Sequence, residues 1–265
     1  MSSASVPLRS SNELGLPEVP LLAGTLVIGD LHLDVANPEH VDSFCRRMRS
    51  YAGVPRLVIL GDLFEYWVGP AQIESAAPVI DMMRELVDGG TAVDVIPGNR
   101  DFLLEETFEK CTGARLRPDG MVGLLSSGAD AERRILLIHG DELCTLDLPY
   151  QRMRRVLRSR PMRFLAVSIP APISRWIAGR LRRASAKATE YKPNASMEQQ
   201  GSACVEFAAR VSCRALVCGH AHRFRDQRLD DGLRWWVVDA FGGDRDTLRV
   251  SDANVLELAS PRCSA

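Results

Sequence analysis

Apolar residues in this chain cluster into short runs, and several runs end in the same way. Thr25-Leu26-Val27-Ile28 ends at Gly29-Asp30, and Leu57-Val58-Ile59-Leu60 ends at Gly61-Asp62. Ala92-Val93-Asp94-Val95-Ile96 ends at Pro97-Gly98-Asn99. Such runs are too short for helices, and their aliphatic, β-branched content predicts buried strands. Between them, apolar positions recur at helical spacing over residues 38–51 and 73–87. This βαβαβ rhythm predicts parallel strands in an α/β sheet. Further strands are predicted at 134–138, ending at His139-Gly140-Asp141, at 215–218, ending at Gly219-His220, and at 235–238. No internal repeat interrupts the pattern.

Composition narrows the class without naming a partner. The chain has 265 residues, 46% hydrophobic and 25% charged, with a formal net charge of -1. That suits one generous globular domain carrying an insertion. Only Lys110, Lys187 and Lys192 are lysines, so the basic side is nearly all arginine. Nothing in this balance calls for nucleic acid, and no obligate protein partner is expected. The seven cysteines are scattered without a CxxC pair, which predicts reduced thiols and a cytoplasmic location. Cys144 is expected to pack rather than react. Residues 1–22 lack the apolar core of a signal peptide and are expected to form a flexible tail, as are residues 260–265.

One stretch differs in composition. Residues 148–189 contain no Asp or Glu but ten arginines and one lysine among Leu, Ile, Val, Phe and Trp. Ile173, Trp176, Ile177 and Leu181 share a helical face, with Arg175 and Arg182 opposite. The segment reads as an inserted helical cap dividing a core of residues 23–147 and 190–259. Its apolar face could take acyl chains and its arginines anionic headgroups, with Arg180 snorkelling. The alternative is a helical hairpin packed on its own domain.

The chemistry gathers at the run ends. Gly29-Asp30-Leu31-His32, Gly61-Asp62, Gly98-Asn99-Arg100-Asp101, His139-Gly140-Asp141 and Gly219-His220-Ala221-His222 each place metal-ligand types just after a strand. In open α/β sheets such ends converge on one crevice. Four of the five histidines lie in these blocks, His40 being the exception and assigned to the surface or helix packing. One such histidine is more often a structural one; four beside Asp and Asn point to a metal centre. Imidazole, carboxylate and amide oxygen together suit Mn, Fe or Zn better than Ca. Asp101 and Asp141 are expected either to orient ligand imidazoles or to cap the next element.

These five ordered blocks resemble the DxH, GD, GN, H and GHxH pattern of the calcineurin-like metallophosphoesterases, over residues 25–240. The resemblance implies a β-sandwich flanked by helices. It implies that Asp30, His32, Asp62 and His222 hold one metal, that Asp62, Asn99, His139 and His220 hold the other, and that Asp62 bridges them. Arg100 departs from the usual histidine after the GN dyad. The words LGDLFEYWVG (60–69), GNRDFLL (98–104) and HGDELCTLD (139–147) are similar to the UDP-2,3-diacylglucosamine diphosphatase branch.

That branch implies cleavage of a UDP-linked acylated sugar to UMP during lipid A biosynthesis, by a water activated between two divalent metals, with manganese the expected cofactor. It also implies peripheral attachment to the cytoplasmic face of the inner membrane, and a cap between the fourth and fifth blocks. Asp62, Asn99, Arg100 and His139 would be catalytic, with Asn99 and Arg100 facing the diphosphate and His220 also contacting substrate. Asp147 and Tyr150 would line the sugar site, and Arg182, Ser185 and Lys192 would contact the head group; Thr189 stands where an Asn is common. For Arg100 the alternative is a salt bridge with Asp101. A metallophosphoesterase acting on another nucleotide or phosphoester, and a non-catalytic metal-binding scaffold, remain as competing functions.

Overall fold

The computed structural model describes residues 12–126, 133–159, 161–162 and 198–259. Two six-stranded mixed sheets form the centre. One contains, in spatial order, β12 (Leu256–Leu258), β11 (Leu248–Val250), β2 (Leu26–Ile28), β3 (Arg56–Ile59), β4 (Ala92–Val95) and β5 (Arg115–Leu116). The other runs β1 (Glu18–Leu21), β6 (Met121–Leu125), β7 (Arg134–Leu137), β8 (Ala215–Cys218), β10 (Arg234–Val237) and β9 (Arg225–Arg228). The βαβαβ reading holds for β2, β3 and β4, which pair in parallel. The later strands build a second sheet, so the fold is the helix-flanked sandwich that the family resemblance implies.

Strict alternation explains why both faces of the strands are apolar. Val27, Val58, Leu60 and Ile96 face inward and meet Leu137, Val217, Trp236 and Val238 from the opposite sheet. Leu26, Ile28, Leu57, Ile59, Val93 and Val95 face outward, against Phe44 and Met48 of α1 (Pro38–Ser50) and Met83 and Leu86 of α2 (Ala77–Asp88). Phe108 of α3 (Glu106–Thr112) completes that layer. On the far side, Leu136, Leu216, Trp235 and Val237 pack against Ala203, Cys204 and Ala208 of α5 (Gly201–Arg210). A strand covered on both faces reads as a continuous apolar run, which is why these strands were legible.

The helices start where backbone chemistry allows. Asn37 accepts from the Glu39 amide and Pro38 opens α1, as expected for residues 38–51. α2 begins later than the predicted residue 73. Ala76 is the N-cap and Pro78 sits in the first turn, where its missing amide proton costs no intrahelical bond.

The tail expected over residues 1–22 is corrected in its second half. β1 pairs in parallel with β6, Glu18 opposite Val122 through Leu21 opposite Leu125. Its Glu-Val-Pro-Leu sequence alternates exposed and buried, and Leu21 is fully buried. Pro20 is tolerated because β1 is an edge strand. Of the predicted cap, the described part is α4 (Leu148–Leu157) and the few residues after it. The Ile173–Leu181 face, Arg175, Arg180, Arg182, Ser185, Thr189 and Lys192 lie outside the described residues, as do residues 1–11 and 260–265. Among the described residues no helix is long and apolar enough to cross a membrane.

Candidate active site

Five loops leave the carboxyl ends of β2, β3, β4, β7 and β8 and meet at one end of the sandwich. Backbone bonds zip the first two together: the His32 amide donates to Asp62 O and the Leu33 amide to Leu63 O, at 2.8 and 3.0 Å. Asp30, His32, Asp62, His220 and His222 all have φ between 47° and 70°. The left-handed region costs non-glycine residues energy, and it persists here because the surrounding loops over-determine it. All five are predicted metal ligands. Two glycines let the loops close. A Cβ on Gly98 would collide with Asp62 Oδ1, and one on Gly219 would sit 2.6 Å from Asp30 Oδ2.

The predicted ligands fall into two overlapping groups. Donor atoms of Asp30, His32, Asp62 and His222 lie within 4.8 Å of one another. His32 Nε2 is 2.9 Å from His222 Nε2, and His222 Nε2 is 3.8 Å from Asp30 Oδ1. In the second group, Asn99 Oδ1 lies 3.1 Å from both His139 Nε2 and His220 Nδ1. Asp62 Oδ2 stands between the groups, 3.7 Å from His32 Nε2 and 3.8 Å from His139 Nε2. His40 lies apart, exposed on α1.

The donor set fits a pair of divalent cations. Asp30 Oδ1 is buried and makes no hydrogen bond, a costly state for a carboxylate oxygen unless a cation supplies the missing partner. His139 Nδ1 donates to the Leu60 carbonyl at 2.7 Å, which turns Nε2 toward Asn99 and Asp62. Burial pushes His220 and His222 down to about 4, so at neutral pH both imidazoles offer lone pairs. Burial also raises Asp30 to about 7, opposed by His139. His139 goes the other way, up to about 9: burial disfavours its charge, but Asp62, Asp141 and Asp30 outweigh it. A proton drawn to the space between these groups occupies the place a cation would take, so metal and proton compete there.

Several assignments change in detail. Asp101 orients no imidazole; it accepts from the Gly98 amide at 2.6 Å and the Leu63 amide at 2.7 Å, pinning two ligand loops. Asp141 is likewise absent from any described bond to an imidazole. It accepts from Arg154 Nε at 2.7 Å and Tyr150 Oη at 2.6 Å. Asp147 accepts from the Tyr150 amide and caps α4. The Arg100 guanidinium pairs with Glu65 rather than Asp101, Nη1 to Oε1 at 2.6 Å, while its amide donates to Asp62 Oδ1. Cys144 is buried and its thiol is pushed up to about 12 by burial, in keeping with packing.

The profile of the calcineurin-like phosphoesterase family matches residues 24–224, most of the chain. The chain belongs to that family. Within it, similar proteins share one curated name. A UDP-2,3-diacylglucosamine hydrolase of Stenotrophomonas maltophilia is 36% identical, over 84% of this chain and 98% of its own length. Proteins of the same name from Ralstonia nicotianae and Pseudomonas fluorescens are 37% and 34% identical, over 80% and 78% of this chain and 82% of their own lengths. This phosphoesterase is thus a metal-dependent hydrolase by family. Sequence reasoning missed Glu65, which touches both His32 and Arg100. It lies inside the quoted word LGDLFEYWVG, but no spacing rule marks it.

Proposed function

We propose that this phosphoesterase hydrolyses the pyrophosphate bond of UDP-2,3-diacylglucosamine, releasing UMP and 2,3-diacylglucosamine 1-phosphate in lipid A biosynthesis. The observation that carries the reading is the convergence of the seven predicted ligand residues into two groups with Asp62 between them, in a chain whose similar relatives bear that hydrolase name. Asp30, His32, Asp62 and His222 would hold one cation, and Asp62, Asn99, His139 and His220 the other. Manganese suits the mixed imidazole, carboxylate and amide donors. When bound, such a pair eases loss of a proton from water and offsets charge on the phosphoryl oxygens.

The chain's own residues supply placement. Arg100 is 35% exposed at the mouth of the site and offers N–H donors to a diphosphate. Asn99 and His220 face the same space. Asp147 and Tyr150 place the start of α4 beside the fourth block, where a sugar would lie. Arg182, Ser185, Thr189 and Lys192 belong to the head-group side in this reading.

Attachment to the inner-membrane surface is part of the proposal. Leu146, Leu148, Met153 and Val156 are each about half exposed or more (50–59%) along α4 and its approach, interleaved with exposed Arg152 and Arg155. Apolar side chains beside arginines suit an anionic lipid interface.

The test is UMP release from UDP-2,3-diacylglucosamine with added Mn²⁺, run beside UDP-N-acetylglucosamine and p-nitrophenyl phosphate. Release from the acylated substrate, absent in Asp62→Ala, supports the assignment. Turnover confined to the small substrates would overturn the substrate while keeping the chemistry.

A further inference from the structure

One carboxylate links two parts of the site that the ligand pattern treats separately. Glu65 Oε2 lies 3.2 Å from His32 Nδ1, and Glu65 Oε1 lies 2.6 Å from Arg100 Nη1. The backbone fixes Glu65 relative to both partners. Its amide donates to Leu33 O at 3.0 Å, next to His32, and the Trp67 amide donates to Arg100 O at 3.0 Å. Leu33 and Phe64 form a parallel bridge in the same zipper. The side chain is about a quarter exposed, so its two contacts are only partly screened by water.

The chemistry of each contact is directional. An ionised carboxylate only accepts hydrogen bonds, so His32 Nδ1 carries the proton. The lone pair of the neutral ring then lies on Nε2, the atom that faces His222 and Asp62. On the other side, the bond to Nη1 holds the guanidinium of a long side chain over Asp62, with Nε 3.8 Å from Asp62 Oδ2. A free arginine would lose rotamer entropy each time it met a phosphate; one already tethered loses less.

We propose that Glu65 is a positioning residue with two duties: it sets the His32 tautomer for metal binding, and it presents Arg100 to the substrate diphosphate. The inference rests on the hydrolase reading above and deepens it. It predicts a split that a merely structural role would not produce. Glu65→Ala loses the His32 contact, so its affinity for Mn²⁺ alone falls roughly 10–100-fold, the usual consequence of removing a ligand's orienting partner. Arg100→Ala leaves Mn²⁺ affinity undiminished. With saturating Mn²⁺, adding Glu65→Ala to Arg100→Ala changes kcat/KM by no more than about threefold, because Glu65 acts there through Arg100. Glu65→Gln keeps an oxygen for His32 and loses the charge for Arg100, so Mn²⁺ affinity recovers while the kinetic loss remains.

The experiment is Mn²⁺ titration calorimetry on the metal-stripped full chain without nucleotide, followed by steady-state kinetics, on wild type and the same four variants. Circular dichroism checks folding, and the near-isosteric Glu65→Gln serves if the alanine variant unfolds. Wild-type Mn²⁺ affinity in Glu65→Ala, or kinetic losses that multiply with those of Arg100→Ala, would overturn the proposal. The calorimetry contains no substrate, so an error in the substrate assignment shows only in the UMP assay and leaves this result standing.

Discussion

Asp30 and Asp141 sit at the ends of two strands in the same end of the sandwich, both almost wholly buried, yet their surroundings drive them in opposite directions. Asp30 has an oxygen with no hydrogen-bond partner, and burial raises its carboxyl to about 7. Asp141 is equally buried, but Arg158 and Arg154 overcome the desolvation and hold it well below the carboxylate range. Tyr150 adds a hydrogen bond, and Arg158 Nη2 continues to the Gly98 carbonyl at 3.0 Å. The difference separates a ligand from a fixture. A buried carboxylate with one oxygen left without a hydrogen bond suits a cation, whereas a fully bonded one fastens α4 to the Asn99 loop.

The largest effect is expected at the shared centre. Asp62→Ala should lower Mn²⁺-dependent turnover by on the order of 10³-fold, the scale of losing a transition-state electrostatic partner. Near-wild-type kcat/KM would break the assignment of Asp62 as the bridge.

Next comes the comparison itself, read by urea unfolding of metal-free protein at pH 7. Asp141→Asn removes the carboxylate that Arg154 and Arg158 share and should destabilise by about 3 kcal/mol, the remaining contacts to Glu142 and the Gly98 carbonyl limiting the loss. Asp30→Asn removes an uncompensated charge and should stabilise by about 1 kcal/mol while abolishing Mn²⁺ binding. Changes of the same sign in both variants would erase the distinction.

The pH dependence sharpens it further. Asp141 has a depressed folded-state pKa, so its contribution is present above the unfolded carboxylate value near 3.8 and is lost as pH falls below it. Asp30 has a raised one, so the metal-free protein holds an extra proton between about 4 and 7 and loses stability as pH rises through that window. The stabilising effect of Asp30→Asn should therefore grow from pH 4 to pH 7, while the destabilising effect of Asp141→Asn should shrink only at the acid end. A pH-independent Asp30→Asn effect would contradict the burial argument.

The smallest effects belong to the outer face of α4. Arg152→Ala and Arg155→Ala should each change folding stability by less than about 0.5 kcal/mol, since both side chains are exposed. Each should nonetheless weaken sedimentation with anionic vesicles by about 1 kcal/mol if this face meets lipid. Equal binding to neutral and anionic vesicles would remove the membrane proposal.

The metal blocks and the central strands were legible in the sequence because both obey local rules. A strand covered on both faces is an apolar run, and each of these runs stops at a glycine or a polar ligand. The short edge strands were not. β1 is four residues with a proline inside it, and β5 is two residues long. Their existence depends on a neighbour offering free backbone groups, which no local pattern records.

The sequence by itself determined the ligand types, their order along the chain and the family, since these depend on residue identity and spacing. The family resemblance also carried the two-layered fold and the place of Asp62 between the two ligand groups, whereas tertiary structure alone decided which strands fall in which sheet. It also decided that one oxygen of Asp30 has no hydrogen bond while Asp141 is bonded through arginines and Tyr150, and that Glu65 joins His32 to Arg100. The physical reason is that desolvation and Coulomb partnership act through space. Asp30 and Asp141 both follow a glycine at a strand end; the motif marks Asp30 as the predicted ligand, but only the groups folded around each leave one oxygen of Asp30 without a hydrogen bond and surround Asp141 with arginines.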